Sequence, residues 1–234
     1  MEILKRFIEW LKANKWFWAI LIIVLAGCVV SVLNNVDRVT ETDLLHSLQQ
    51  TAAAKSYRFS TKAVMLVGGK ERVLSDVKGE KEETKLHMSG EMMKTPVDAY
   101  LLQNKLYVKN PWGKWLVLDD TNQEQAELYI SELNPLGCLN IKNIAKLVDV
   151  RQEMLNDEQL YRFTIKPDIE NPVLEVMWTD YTATLWVEPK TQQLRHVKIV
   201  AASKSKAEDR LSVQIKLWDY GRSFRLEPPI QASK

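Results

Sequence analysis

The 234-residue chain has little cysteine, histidine, glycine or proline: two Cys, three His, eight Gly and eight Pro. Cys28 sits inside an apolar run, and Cys138 stands alone in all that follows. A single cysteine closes no intrachain disulfide, so that part must be held by a hydrophobic core. Cys138 follows Leu136-Gly137 in an apolar stretch and reads as a small buried residue, not a nucleophile. The three histidines, His46, His87 and His196, are too far apart to form a local metal-ligand pair, and none joins a cysteine or carboxylate cluster of the zinc type. There is no nucleophile elbow, phosphate-cradling glycine loop or HExxH run. Gly68-Gly69 has no helix after it that could hold a phosphate. The sequence thus carries no cofactor motif and no catalytic signature, and we read it as non-enzymatic. An excess of one charge sign is missing too: 32 basic residues face 30 acidic ones. The first 33 positions hold four of the basic (Lys5, Arg6, Lys12, Lys15) and two of the acidic (Glu2, Glu9), so the remainder is balanced. A neutral domain of this size lacks the clustered Lys and Arg that nucleic-acid binding needs. No repeat or low-complexity tract is present, which excludes fibrous and disordered classes.

One long apolar run is present. Trp16 to Leu33 is uncharged and long enough to cross a hydrocarbon core of ~30 Å. Lys12 and Lys15 precede it, which predicts a cytoplasmic N-terminus and an extracytoplasmic remainder at the cell membrane. Trp10, Trp16 and Trp18 fit an interfacial belt. Ile3, Leu4, Phe7, Ile8 and Leu11 oppose Lys5, Arg6 and Glu9 at helical spacing, so 1–15 reads as an amphipathic segment on the inner leaflet. Leu25-Ala26-Gly27-Cys28 is also similar to a bacterial lipobox, with Cys28 as the lipidated residue. Two readings follow: an uncleaved single-span anchor over 16–33, or a cleaved lipoprotein anchored on the outer face. Both leave a stalk at 34–41 and one domain at 42–234 on the same side.

In that domain, Leu44, Leu45, Leu48, Thr51 and Ala52 predict an amphipathic helix over 42–55, with Thr40-Glu41-Thr42-Asp43 offering its cap. From Tyr57 the apolar period changes to two. Strands are expected at Tyr57–Met65, 72–80, 84–92, 97–102, 105–109 and 114–118, with turns at Gly68-Gly69, Gln103-Asn104 and Asn110–Gly113. Spacings of three and four predict helices over 122–133 and 140–148. Strands resume at 150–154 and 159–166 around Asn156-Asp157, a short helix at 171–178 follows, and strands at 182–187, 193–202 and 210–218 close the chain before an irregular tail. About eleven strands joined by hairpins favour an α+β fold: a curved antiparallel sheet whose concave face is filled by helices, or by helices and a bound apolar molecule. Tyr57, Phe59, Tyr100, Tyr107, Trp115, Trp186 and Val213 are the candidates for lining such a cavity.

The segments Lys55–Ser60, Ser75–Glu80, His87–Gly90 and Tyr100–Lys109, followed by Trp115, resemble in that order the LolA/LppX-like superfamily of exported lipid- and lipoprotein-carrier domains. The resemblance spans about residues 42–220. It implies an open half-barrel sheet with helices at its mouth, a hydrophobic cavity for acyl chains, and no catalytic residues. A tethered chain cannot shuttle between two membranes. The expectation is therefore a membrane-anchored domain that binds a lipid or another apolar ligand, with a membrane protein as a possible handover partner. The alternative is an envelope sensor or protein-interaction module built on the same sheet.

Overall fold

A computed structural model of the chain describes residues 39–103, 105–118, 141–169, 172–206 and 208–230. The chain divides into two compact units, Met1–Val39 and Thr40–Lys234. Of the first only Val39 is described. The amphipathic segment, the apolar run with Cys28, most of the stalk, the helix expected at 122–133 and Cys138 all lie outside the described residues. No described helix is long and apolar enough to cross a membrane.

The second unit is dominated by one sheet. Its strands are β1 (Ser56–Val67), β2 (Lys70–Glu82), β3 (Lys85–Met92), β4 (Thr95–Leu102), β5 (Lys105–Lys109), β6 (Trp115–Leu118), β7 (Ile141–Leu155), β8 (Glu158–Ile169), β9 (Trp178–Val187), β10 (Leu194–Ser203) and β11 (Arg210–Trp218). They pair antiparallel in the order β6-β5-β4-β3-β2-β1-β11-β10-β9-β8-β7. The ends, β6 and β7, do not meet. Among the described residues the architecture is therefore an open antiparallel sheet with few helices, consistent with a half-barrel. Its first and last strands join at the centre, where Phe59 faces Leu217 and Ala63 faces Val213.

Tight turns set the register. β1 and β2 turn through Gly68 and Gly69, both at positive φ, as a two-residue hairpin of the right twist requires. Asn156-Asp157 does the same between β7 and β8. The turn at Met93-Lys94 also has both residues at positive φ, although neither is a residue that favours it.

The helix α1 (Glu41–Ala52) begins where expected. The Asp43 carboxylate accepts from the Thr40 N–H at 2.7 Å and the Thr40 hydroxyl at 2.8 Å, which holds its pKa below the ordinary aspartate value. Leu44, Ser47 and Thr51 form its buried face. Thr51 Oγ1 accepts the Leu194 backbone N–H at 3.0 Å and so fastens the helix to the start of β10. A second helix, α2 (Pro172–Met177), is a single short excursion before β9.

The helix expected over 140–148 is absent: these residues belong to β7 from Ile141 onward. The apolar period there is three, which mimics a helix. Three register shifts in the β7–β8 ladder account for it. Ile141, Ile144, Leu147 and Val150 pair with Ile169, Pro167, Ile165 and Phe163. Each step of three on β7 matches a step of two on β8, so each bulge absorbs one residue and returns the next apolar position to the same side.

Candidate functional site

Cross-strand pairing sorts the sheet into two faces, because paired residues share a side and neighbours along a strand alternate. One face is apolar. The row Val97–Gly90–Val77–Thr61–Ile215–Val197–Leu185–Phe163–Val150 crosses nine strands. The next row runs Met92–Ser75–Ala63–Val213–Ile199–Ala183–Ile165–Leu147. On the other flank lie Val108–Ala99–Met88–Gly79–Phe59–Leu217. Neither of the first two rows contains a charge.

Burial along this face is uneven. Toward the Leu194 end, Phe59, Leu185, Val187 and Leu217 are buried, and Leu44 of α1 is buried likewise. Tyr57 stacks obliquely against Tyr220, whose hydroxyl donates to the Leu194 carbonyl. Burial raises the Tyr57 pKa to about 12. At the opposite end, Trp178, Ala201 and Leu211 form a buried cluster against which Met65, Leu74, Tyr181 and Val213 pack. Between these ends Ile215, Val197, Ile199, Ala183 and Ile165 are buried as well, while Thr61, Ala63, Met92 and Val97, toward β4, are only half-buried. Two hydroxyls, Thr61 Oγ1 and Tyr181 OH, are shut off from solvent without a hydrogen-bond partner. The result is an apolar strip, closed at two ends and partly open between, with unused hydrogen-bonding capacity.

The seven candidates divide between the faces. Tyr57, Phe59 and Val213 lie on the apolar face. Tyr100, Tyr107, Trp115 and Trp186 lie on the other, which we call the outer face. There Tyr100 stacks on His87 at 4.0 Å and meets Trp115 edge-on at 5.7 Å. His87 Nε2 lies 3.1 Å from an Asp98 carboxylate oxygen. Tyr100 and Tyr107 also pack against the buried cluster of Leu102, Phe224 and Leu226, so the C-terminal tail covers part of the outer face. Trp186 meets His196 edge-on. Trp178 was not among the candidates, although its place beside Met65 and Val213 makes it part of the apolar strip. Its only sequence signal was an aromatic next to a short helix.

Among the described residues, no group of three His, Cys, Asp or Glu side chains could hold a metal ion. The outer face carries ion pairs, such as Arg58 with Glu80 at 2.7 Å and with Asp219 at 3.1 Å. These pairs are partly exposed and act mainly as surface structure.

No family model and no curated protein matches the chain. Similar solved structures include a DUF1329 family protein from Desulfovibrio piger, 11% identical over 77% of this chain and 92% of that one, with a TM-score of 0.30. A LolA superfamily protein from Nitrosomonas europaea is 9% identical over 80% and 94%, with a TM-score of 0.30. MucB, solved in complex with MucA(peri), is 9% identical over 76% of this chain and 56% of its own, with a TM-score of 0.35.

Proposed function

We propose that the unit Thr40–Lys234 is a non-catalytic binding module that takes up acyl chains along the apolar strip between α1 and Trp178. The observation that carries this reading is the pair of uncharged cross-strand rows through Thr61 and Ala63, buried across β8, β9 and β10 and left half-buried at Val213, Thr61, Ala63, Ser75, Met92 and Val97. Each methylene placed there contributes about 0.8 kcal/mol, so a chain of ordinary length binds without a charged anchor. Val213, Phe59, Tyr57 and Trp178 are the lining residues in this reading.

The test uses residues 40–234 purified without detergent. Native mass spectrometry is expected to show recurrent lipid adducts, and a fluorescent fatty acid is expected to be taken up at one site. Val213→Lys places an ammonium in the strip and should abolish uptake with the thermal midpoint kept. A clean apo mass together with no uptake by the unaltered protein would refute the reading.

We further propose that residues 16–33 tether this unit to the outer side of the cell membrane. The uncharged run and its basic N-terminal flank support this. Comparing the membrane-bound mass of the full chain with that of Cys28→Ser separates the two anchors. An unaltered mass in both favours the span; a shortened, lipid-bearing chain lost in the variant makes Cys28 the anchor.

A further inference from the structure

The outer face holds a groove that the apolar strip does not explain. It spans β9, β10 and β11, has a volume of about 260 Å³, and is lined by Asn156, Trp186, His196, Lys198, Gln214 and Lys216 among others. Pairing fixes its layout. Lys216, His196 and Trp186 occupy one cross-strand row, and Gln214 and Lys198 the next. Adjacent strands lie about 4.8 Å apart, so both ammoniums reach the same space.

We propose that this groove binds a phosphate group, free or carried on a lipid headgroup. Among the described residues no carboxylate lines it. Lys198 and Lys216 take part in no ion pair among the described residues, whereas the neighbouring Lys62 is paired with Asp76 at 3.6 Å. The lining is rich in donors: two ammoniums, an imidazole and the Gln214 amide. Burial and the Lys216 charge both lower the His196 pKa, and Glu158 opposes them, which agrees with a positive local potential. A tetrahedral oxyanion with several acceptor oxygens suits separate point charges and single donors. A carboxylate is better matched by an arginine fork, and the nearest guanidinium in the row, Arg162, is engaged by Glu153 at 3.3 Å. The groove lies on the face opposite the apolar strip, so failure of acyl uptake would leave it standing.

Calorimetric titration of the full chain in non-ionic detergent with sodium phosphate, at constant ionic strength, tests the site. The expected result is a saturable, one-site heat. Lys198→Gln/Lys216→Gln should weaken it by about tenfold or more, while Lys62→Gln leaves it unchanged. All three lysines are exposed, and unaltered thermal midpoints establish that each variant is folded. Absence of saturable heat into the millimolar range, or an equal loss in Lys62→Gln, overturns the proposal. Glycerol 3-phosphate as a second titrant separates the sources: tighter binding than inorganic phosphate identifies a headgroup, weaker binding the free ion.

Discussion

Gly79 is a position where a methyl group does not fit. A Cβ there would lie 2.2 Å from the His87 carbonyl oxygen and 2.5 Å from Phe59 Cζ. The first neighbour is strand backbone and the second a fully buried ring, so neither yields cheaply. Gly79→Ala is expected to cost about 1–3 kcal/mol, as overpacking does. At about 2–4 °C per kcal/mol for a unit of this size, calorimetry would show a clearly lowered midpoint. An unchanged midpoint would mean that the Phe59 ring moves aside freely. The sequence placed Gly79 correctly inside a strand. It carried no sign of Phe59 lying over it, because that contact depends on β1–β2 register and not on local pattern. The same limit explains the division of the seven candidates. Alternation separates Tyr57 and Phe59 from Arg58 within one strand. It does not say whether Tyr100, three strands further on, shares their side; His87 and Glu80 pair with Tyr100 and Arg58 and place it opposite.

At the scale of elements, turn chemistry and ladder irregularities decide how readable the fold is. Gly68-Gly69 and Asn156-Asp157 announce their hairpins, and both were legible. The Met93-Lys94 turn was not, since its composition contradicts its φ values of 47° and 65°. Left-handed backbone costs a non-glycine residue roughly 1–2 kcal/mol. Met93 is 77% exposed, so its side chain contributes little packing to offset that. Met93→Asn/Lys94→Gly is therefore expected to stabilise the unit by about 1 kcal/mol, read as a raised denaturant midpoint at unchanged slope. A lower midpoint would show that the native pair makes interactions beyond its backbone conformation. β7 hid for a different reason. Its apolar residues recur every three positions, and only the partner strand, with its period of two, reveals that three bulges restore a one-sided strand. Such bulges also bend an edge strand away from flat pairing, a common protection at a sheet edge.

For the unit as a whole, the decisive feature is that the chain's late strand closes onto its early one. β11 completes the sheet between β10 and β1, and the tail after it continues across the outer face of β1 and β2. The Gly221 N–H donates to the Ser56 carbonyl at 3.0 Å, and Arg58 reaches Asp219. Glu82 then accepts from the Ser223 hydroxyl at 2.7 Å and the Phe224 N–H at 3.2 Å. Beyond it, Phe224 and Leu226 bury themselves against Leu102. The tail is thus a strap from the centre of the sheet to its β4 side, and Glu82 is its polar pin. These two hydrogen bonds, with help from Lys85, lower the Glu82 pKa below the ordinary 4.5. A carboxylate whose folded-state pKa is depressed adds stability above its unfolded value, and that contribution is lost as pH falls through the folded one. Docking of the strap should therefore be complete near neutrality and loosen in acid below the ordinary glutamate range. Amide exchange of Phe224, compared with Leu217 within β11, checks this: the ratio of their protection factors should fall on acidification. In Glu82→Gln, whose amide oxygen still accepts both hydrogen bonds but does not titrate, the ratio should stay flat over the same range. An equal acid-induced fall in the variant would assign the loosening to another group, such as the Arg58–Asp219 pair, and remove Glu82 as the pin.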